Sequence, residues 1–135
     1  MTPFDPAGEL PAPYAPAPVG VLPPALAVPP GAGAIADEAG ARAVPRSEAV
    51  RMFDDGPVIV AHASLTARRL GLAQPPRDQR LYDTLELFAF VRPARFCAPS
   101  AVGLALAMGM PEPKGGEAQA ASLRAACRAL LDELA

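Results

Sequence analysis

The sequence predicts a small α/β or α+β layer fold, with a short sheet, four to five helices and a proline-rich arm in front. Three observations carry this expectation. Two short apolar runs separated by a turn signal, between residues 32 and 44, have the pattern of a β-hairpin. A continuous apolar run, Val58-Ile59-Val60-Ala61, reads as a strand buried on both faces. From residue 83 onward, apolar residues recur at helical spacing behind capping residues. The predicted order is β-β-α-β-α-α-α-α, which suits one small layered domain in a chain of 135 residues.

The arm comes first. Of the 18 prolines, ten fall in the first thirty residues, in units such as Pro11-Ala12-Pro13 and Pro16-Ala17-Pro18. Proline fixes φ and has no N–H, so residues 1–30 are expected to be extended or disordered and to contribute no core. Such an arm is either a ligand for an aromatic groove or a solvated tail ahead of the true domain.

The texture changes at Gly31. Ala32 to Asp37 is the first expected strand, Glu38-Ala39-Gly40 the turn, with Gly40 taking the positive φ, and Arg42 to Val44 the second strand. Ser47 is expected to cap a helix that turns Val50 and Phe53 inward and stops at Asp54-Asp55-Gly56. Beyond the buried strand, a short helix from Ser64 to Leu70 ends at Gly71, ahead of a Pro75-Pro76 loop. Asp83 and Glu86 have capping-box spacing and open a helix striped by Leu85, Leu87, Phe88 and Val91, which Pro93 stops. Ser100 caps the next helix, carrying Val102, Leu104, Leu106 and Met108 to Gly109. Residues 117–134 form the last one: Ala120, Leu123, Cys127, Leu130 and Leu134 face inward, Arg124, Arg128 and Asp132 face water.

Composition narrows the functional classes. A net charge of −2 argues against a domain that grips a phosphate backbone unaided. There is no run of about eighteen apolar residues to span a membrane, and Asp5 and Glu9 stand where a signal peptide needs positive charge. The expectation is a cytoplasmic chain with no membrane partner. Cys97 and Cys127 lack metal-site spacing, and read as buried free thiols, with a disulfide as the alternative.

No complete catalytic centre is legible. His62, the only histidine, follows the buried strand, where open α/β sheets place ligands; its other reading is a structural hydrogen bond. Asp37 and Glu38 close the first expected strand. Adjacent strand residues point to opposite faces, so the two carboxylates do not share a metal in the manner of an Asp-x-Glu pair and read as turn residues. Arg92 and Arg95 with Phe88, Phe90 and Phe96 form either a basic–aromatic face for nucleic acid or a partner, or a hydrophobic helix face flanked by surface arginines. The chain has no Gly-x-x-x-x-Gly-Lys-Ser/Thr loop for ATP, no Gly-x-Ser-x-Gly elbow and no Cys-x-x-Cys pair. No catalytic residue, metal ligand or cofactor is assigned.

Two blocks carry a resemblance. Val58-Ile59-Val60-Ala61-His62-Ala63, followed by Leu81-Tyr82-Asp83-Thr84-Leu85-Glu86-Leu87, resembles the middle of a DnaQ-type 3′–5′ exonuclease, which has a ribonuclease-H-like fold. The run from Leu85 to Phe96, with Pro99-Ser100 and Gly103-Leu104-Ala105, is similar to the N-terminal region of DinG-type ATP-dependent DNA helicases of alphaproteobacteria. In those proteins an exonuclease-like segment precedes the motor. The resemblance covers residues 31–135 and is specific from 58 to 110. It implies a partial ribonuclease-H-like fold, and a longer protein that unwinds DNA with ATP and magnesium and points toward DNA repair. An active exonuclease of this class needs four metal-binding carboxylates and a general base. Here the Asp-x-Glu is missing, the acidic residue expected after Ala61-His62 falls near Ala67, and the region before the last helix reads Gly115-Gly116-Glu117-Ala118-Gln119.

The expected organisation is therefore an arm (1–30), a degenerate exonuclease-like domain (31–110), and a linker with a C-terminal amphipathic helix (111–135). The expected function is a non-catalytic accessory or interaction domain of a DNA helicase, partnered by the motor domain and by DNA. Two alternatives stand beside it: a divergent exonuclease using Asp37, Glu38, Asp83 and Glu117, and a stand-alone adaptor working through the arm.

Overall fold

Strand β1 is Ala25–Ala27, and it lies at the centre of a five-stranded sheet ordered β3-β2-β1-β4-β5. The computed structural model describes residues 22–30, 33–75 and 80–135. β2 (Gly33–Asp37) and β3 (Gly40–Val44) form the antiparallel hairpin, with Gly40 at φ 129°. β1 pairs antiparallel with β2, through Leu26 opposite Ile35, and parallel with β4 (Val58–Val60), through Ala25 opposite Ile59. β5 (Leu81–Asp83) adds a parallel edge, Val60 opposite Asp83. The fold is thus mixed α/β.

Two faces follow from strand alternation. Leu26, Ile35, Val58 and Val60 point to one side and pack with Ala49 and Phe53 of α1 (Arg46–Asp55) and Ala67 of α2 (Ala63–Arg69). On the other side Ala25 and Ile59 meet Phe88 of α3 (Thr84–Val91), Leu104 of α4 (Ala101–Ala107), and Leu123, Ala126, Cys127 and Leu130 of α5 (Gly116–Leu134). Ala27, Ala34 and Ala36 are small, which lets Ala120 of α5 settle close to the sheet.

The sheet corrects the arm. Residues 22–30 are not a coreless extension, because Ala25, Leu26 and Ala27 are buried and pair on both sides. Pro23-Pro24 and Pro29-Pro30 bracket the strand without entering it, so no ladder N–H is lost. Residues 1–21, with the Pro-Ala-Pro units, lie outside the described residues. Among the described residues the order becomes β-β-β-α-β-α-β-α-α-α, with β1 and β5 added. α5 is no appendage beyond residue 110: it covers β1, β2 and β3.

Smaller corrections concern caps and faces. α1 is opened by Pro45 in an extended conformation, so Ser47 lies inside the helix and is not its cap. Asp83 caps α3 through the Leu85 N–H at 3.0 Å, two residues on, not through Glu86. Ser100 caps α4 as expected, accepting from the Gly103 N–H at 2.9 Å. Leu134, placed inward by periodicity, is exposed, as is Leu106 of α4. Both cysteines are free; Cys127 is buried and Cys97 half-buried, and burial raises both thiols above their ordinary range.

Candidate functional site

β1, β4 and β5 run parallel, so their C-terminal ends form one edge of the sheet, the place where open α/β sheets gather ligands. His62 leaves β4 there with φ 65°, an uncommon value for a residue with a Cβ. That turn aims its Nδ1 at the Leu65 N–H, 3.2 Å away, capping α2. Beside it the Asp83 carboxylate accepts from three backbone N–H groups: His62 at 3.1 Å, Ala63 at 2.8 Å and Leu85 at 3.0 Å. One carboxylate thus ties β5 and α3 to the start of α2. Both groups act on backbone, which favours the structural reading of His62.

A cleft of about 180 Å³ opens at this edge, between the end of β1, α2, the start of α4 and the first turns of α5. Leu26, Ala27, Val28, Pro29, Ala61, Leu65, Val102 and Leu123 give it apolar walls, and Thr66, Arg69, Ser100 and Gln119 supply polar atoms. Arg69 Nη1 donates to the Val28 carbonyl at 3.0 Å, while Thr66 Oγ1 donates back to the His62 carbonyl at 3.1 Å. Among the described residues, Arg69 is the only charged one in the lining. A divalent ion wants several oxygen ligands, carboxylates above all. Among the described residues the lining offers no Asp, Glu or His, so it does not suit the paired ions of an exonuclease.

Asp37 and Glu38 do not join His62. β2 runs antiparallel to β1, so its C-terminal end lies at the opposite edge of the sheet. There the Asp37 carboxylate accepts from the Ala39 N–H at 2.8 Å and pairs with Arg42 at 3.2 Å, which together hold its pKa below the usual carboxylate range. Glu38 turns to α5 and meets Arg124 Nη2 at 2.9 Å and Arg128 at 3.5 Å. The Arg124 hydrogen bond is the main cause of its lowered pKa. The four carboxylates of the displaced-exonuclease alternative are likewise split, since Asp83 belongs to the His62 edge and Asp37 and Glu38 to the other. Among the described residues no three His, Cys, Asp or Glu side chains stand close enough to hold a metal ion.

Arg124, expected to face water, does the reverse. Its side chain is only 12% exposed and donates to the Leu22 carbonyl at 3.0 Å and the Pro23 carbonyl at 3.2 Å. No helical-wheel signal marks this, because the acceptors lie about a hundred residues earlier in a proline-flanked stretch.

The basic–aromatic residues divide. Phe88 is core. Phe90 is 74% and Phe96 86% exposed, so neither belongs to a buried helix face, and that alternative fails for both rings. Arg95 is exposed with them. Arg92 is engaged: its guanidinium forms a two-pronged pair with Glu133, with Nε at 3.2 Å from Oε1, and lies 6.0 Å from the Phe88 ring centroid. That pair lowers the pKa of Glu133 and raises that of Arg92.

Sequence reasoning missed the cleft lining, because Ala27, Val28 and Pro29 fall in the stretch assigned to the arm. The signal was there: an apolar Ala-Leu-Ala-Val run between two proline pairs. Among the described residues, no helix is long and apolar enough to cross a membrane. The chain matches no protein-family model, no curated protein and no solved structure.

Proposed function

We propose that this chain is a non-catalytic interaction domain serving an ATP-dependent DNA helicase of the DinG type, in the cytoplasm. One observation carries the reading: Phe90 on α3, and Phe96 next to Arg95 in the loop that follows, present two aromatic rings to solvent that the core does not use. Exposed aromatics flanked by arginine are what partner surfaces are built from, and they account for much of the binding energy where they are buried by a partner. The resemblance of residues 58–63 and 81–96 to an exonuclease-like segment ahead of a helicase motor supports the choice of partner. The sheet edge at His62, whose cleft carries no carboxylates, supports the absence of nuclease chemistry in this domain. ATP and magnesium then belong to the motor, and DNA is reached through it.

The test is binding of the purified chain to an immobilised DinG-type motor domain. Phe90→Ala and Phe96→Ala, singly, are expected to weaken binding by roughly tenfold or more each, with unchanged thermal stability because both rings are exposed. Binding that ignores both substitutions overturns the surface. Manganese-dependent degradation of single-stranded DNA, abolished by Asp37→Ala, would replace the reading with a divergent exonuclease. Capture of partners lost on deleting residues 1–21 would favour the adaptor.

A further inference from the structure

The cleft at the ends of β1 and β4 has a chemistry of its own. We infer that it binds a small aromatic carboxylate, with a ring of benzene size in the apolar part and the carboxylate on Arg69. The volume, about 180 Å³, is close to the roughly 150 Å³ of an engineered apolar cavity that holds benzene. Leu26, Ala61, Leu65, Val102 and Leu123 line the space that the ring fills. The charge follows from Arg69, among the described residues the only charged one lining the cleft. It spends one N–H on the Val28 carbonyl, and a guanidinium carries five. Two further donors face the same space. The Ser100 oxygen accepts from the Gly103 N–H, which leaves its own hydrogen to give, and Gln119, whose side chain carries an NH₂, also lines the cleft. Thr66 contributes none, since its hydroxyl is given to backbone carbonyls. An anion meets donors and no opposing carboxylate, whereas a cation meets Arg69.

The site is separate from the Phe90–Phe96 surface, so neither proposal depends on the other. Bound there, a ligand touches β1, α2, α4 and α5 together.

The experiment is a titration of the full chain with sodium benzoate, followed by amide ¹H–¹⁵N spectra, with benzamide and inorganic phosphate as parallel arms. Benzoate is expected to shift Thr66, Ala101, Val102 and Gln119 and to saturate in the millimolar range. Benzamide, which keeps the ring and loses the charge, should bind about tenfold more weakly. Phosphate, which keeps the charge and loses the ring, should also be weaker. Arg69→Gln should cost benzoate about tenfold. Because that change also severs the Val28 bond, Ala101→Leu is the second variant: it leaves Arg69 in place, fills the cleft and should abolish the shifts. No shift with benzoate at about 10 mM, equal binding of benzamide, equal binding of phosphate, or full binding by Ala101→Leu each overturns the inference.

Discussion

At the scale of single residues, the polar groups that matter most bind backbone. Asp83 satisfies three N–H groups from two segments, so Asp83→Ala leaves half-buried donors without an acceptor. We expect a loss of about 2–4 kcal/mol in chemical denaturation. Arg124→Ala strips the Leu22 and Pro23 carbonyls together with Glu38, and should cost about 1–3 kcal/mol. His62→Asn is a contrasting case. Asparagine tolerates a left-handed conformation and caps helices well, so stability should stay within about 0.5 kcal/mol. A large loss there would mean that the imidazole does more than cap α2. These residues were unequally legible. Asp83 was visible as a cap because its apolar helix follows at once, whereas its two further bonds span twenty or more residues. The exposure of Phe90 and Phe96 was not readable, since the three rings look alike in a sequence: packing buries Phe88 of α3, while Phe90 on the same helix and Phe96 in the loop after it stay in solvent.

At the scale of elements, legibility followed length and punctuation. The hairpin, β4 and the four later helices announced themselves through apolar runs closed by glycine, proline or a capping residue. β1 and β5 did not. Each is three residues long, too short for alternation to show. β1 also sits between proline pairs, and the local rule that proline implies an extended arm was overridden by pairing on both sides. α4 offers a test of which force wins inside an element. Gly103 is helical, and alanine would gain up to about 1 kcal/mol in propensity. A Cβ there collides with the Ala98 carbonyl oxygen, which the preceding loop holds in place. We expect Gly103→Ala to lose about 1–3 kcal/mol net, read as a lower melting temperature. An unchanged or higher value would show that the 92–99 loop yields freely.

At the scale of the whole molecule, ion pairs clasp distant parts of the chain and should give stability an acid limb. Asp37, Glu38 and Glu133 all have lowered pKa values, from the Ala39 N–H, Arg124 and Arg92 respectively. A carboxylate with a lowered folded-state pKa contributes stability that is complete above its unfolded value and is lost as pH falls through the folded one. The melting temperature should therefore hold near neutral pH and fall below about pH 4, with the fall shallower in Glu38→Gln. High salt should reduce it too, since the pairs are exposed. A profile identical in Glu38→Gln would remove Glu38 from the account. The Arg124 grip also bears on how the chain comes together in time. Leu22 and Pro23 lead into the central strand, yet the side chain that holds their carbonyls follows 102 and 101 residues later. A nascent chain must therefore keep Ala-Leu-Ala waiting until α5 is synthesised. Its folding should be slow and all-or-none, and a ribosome stalled before Arg124 should display a protease-sensitive chain.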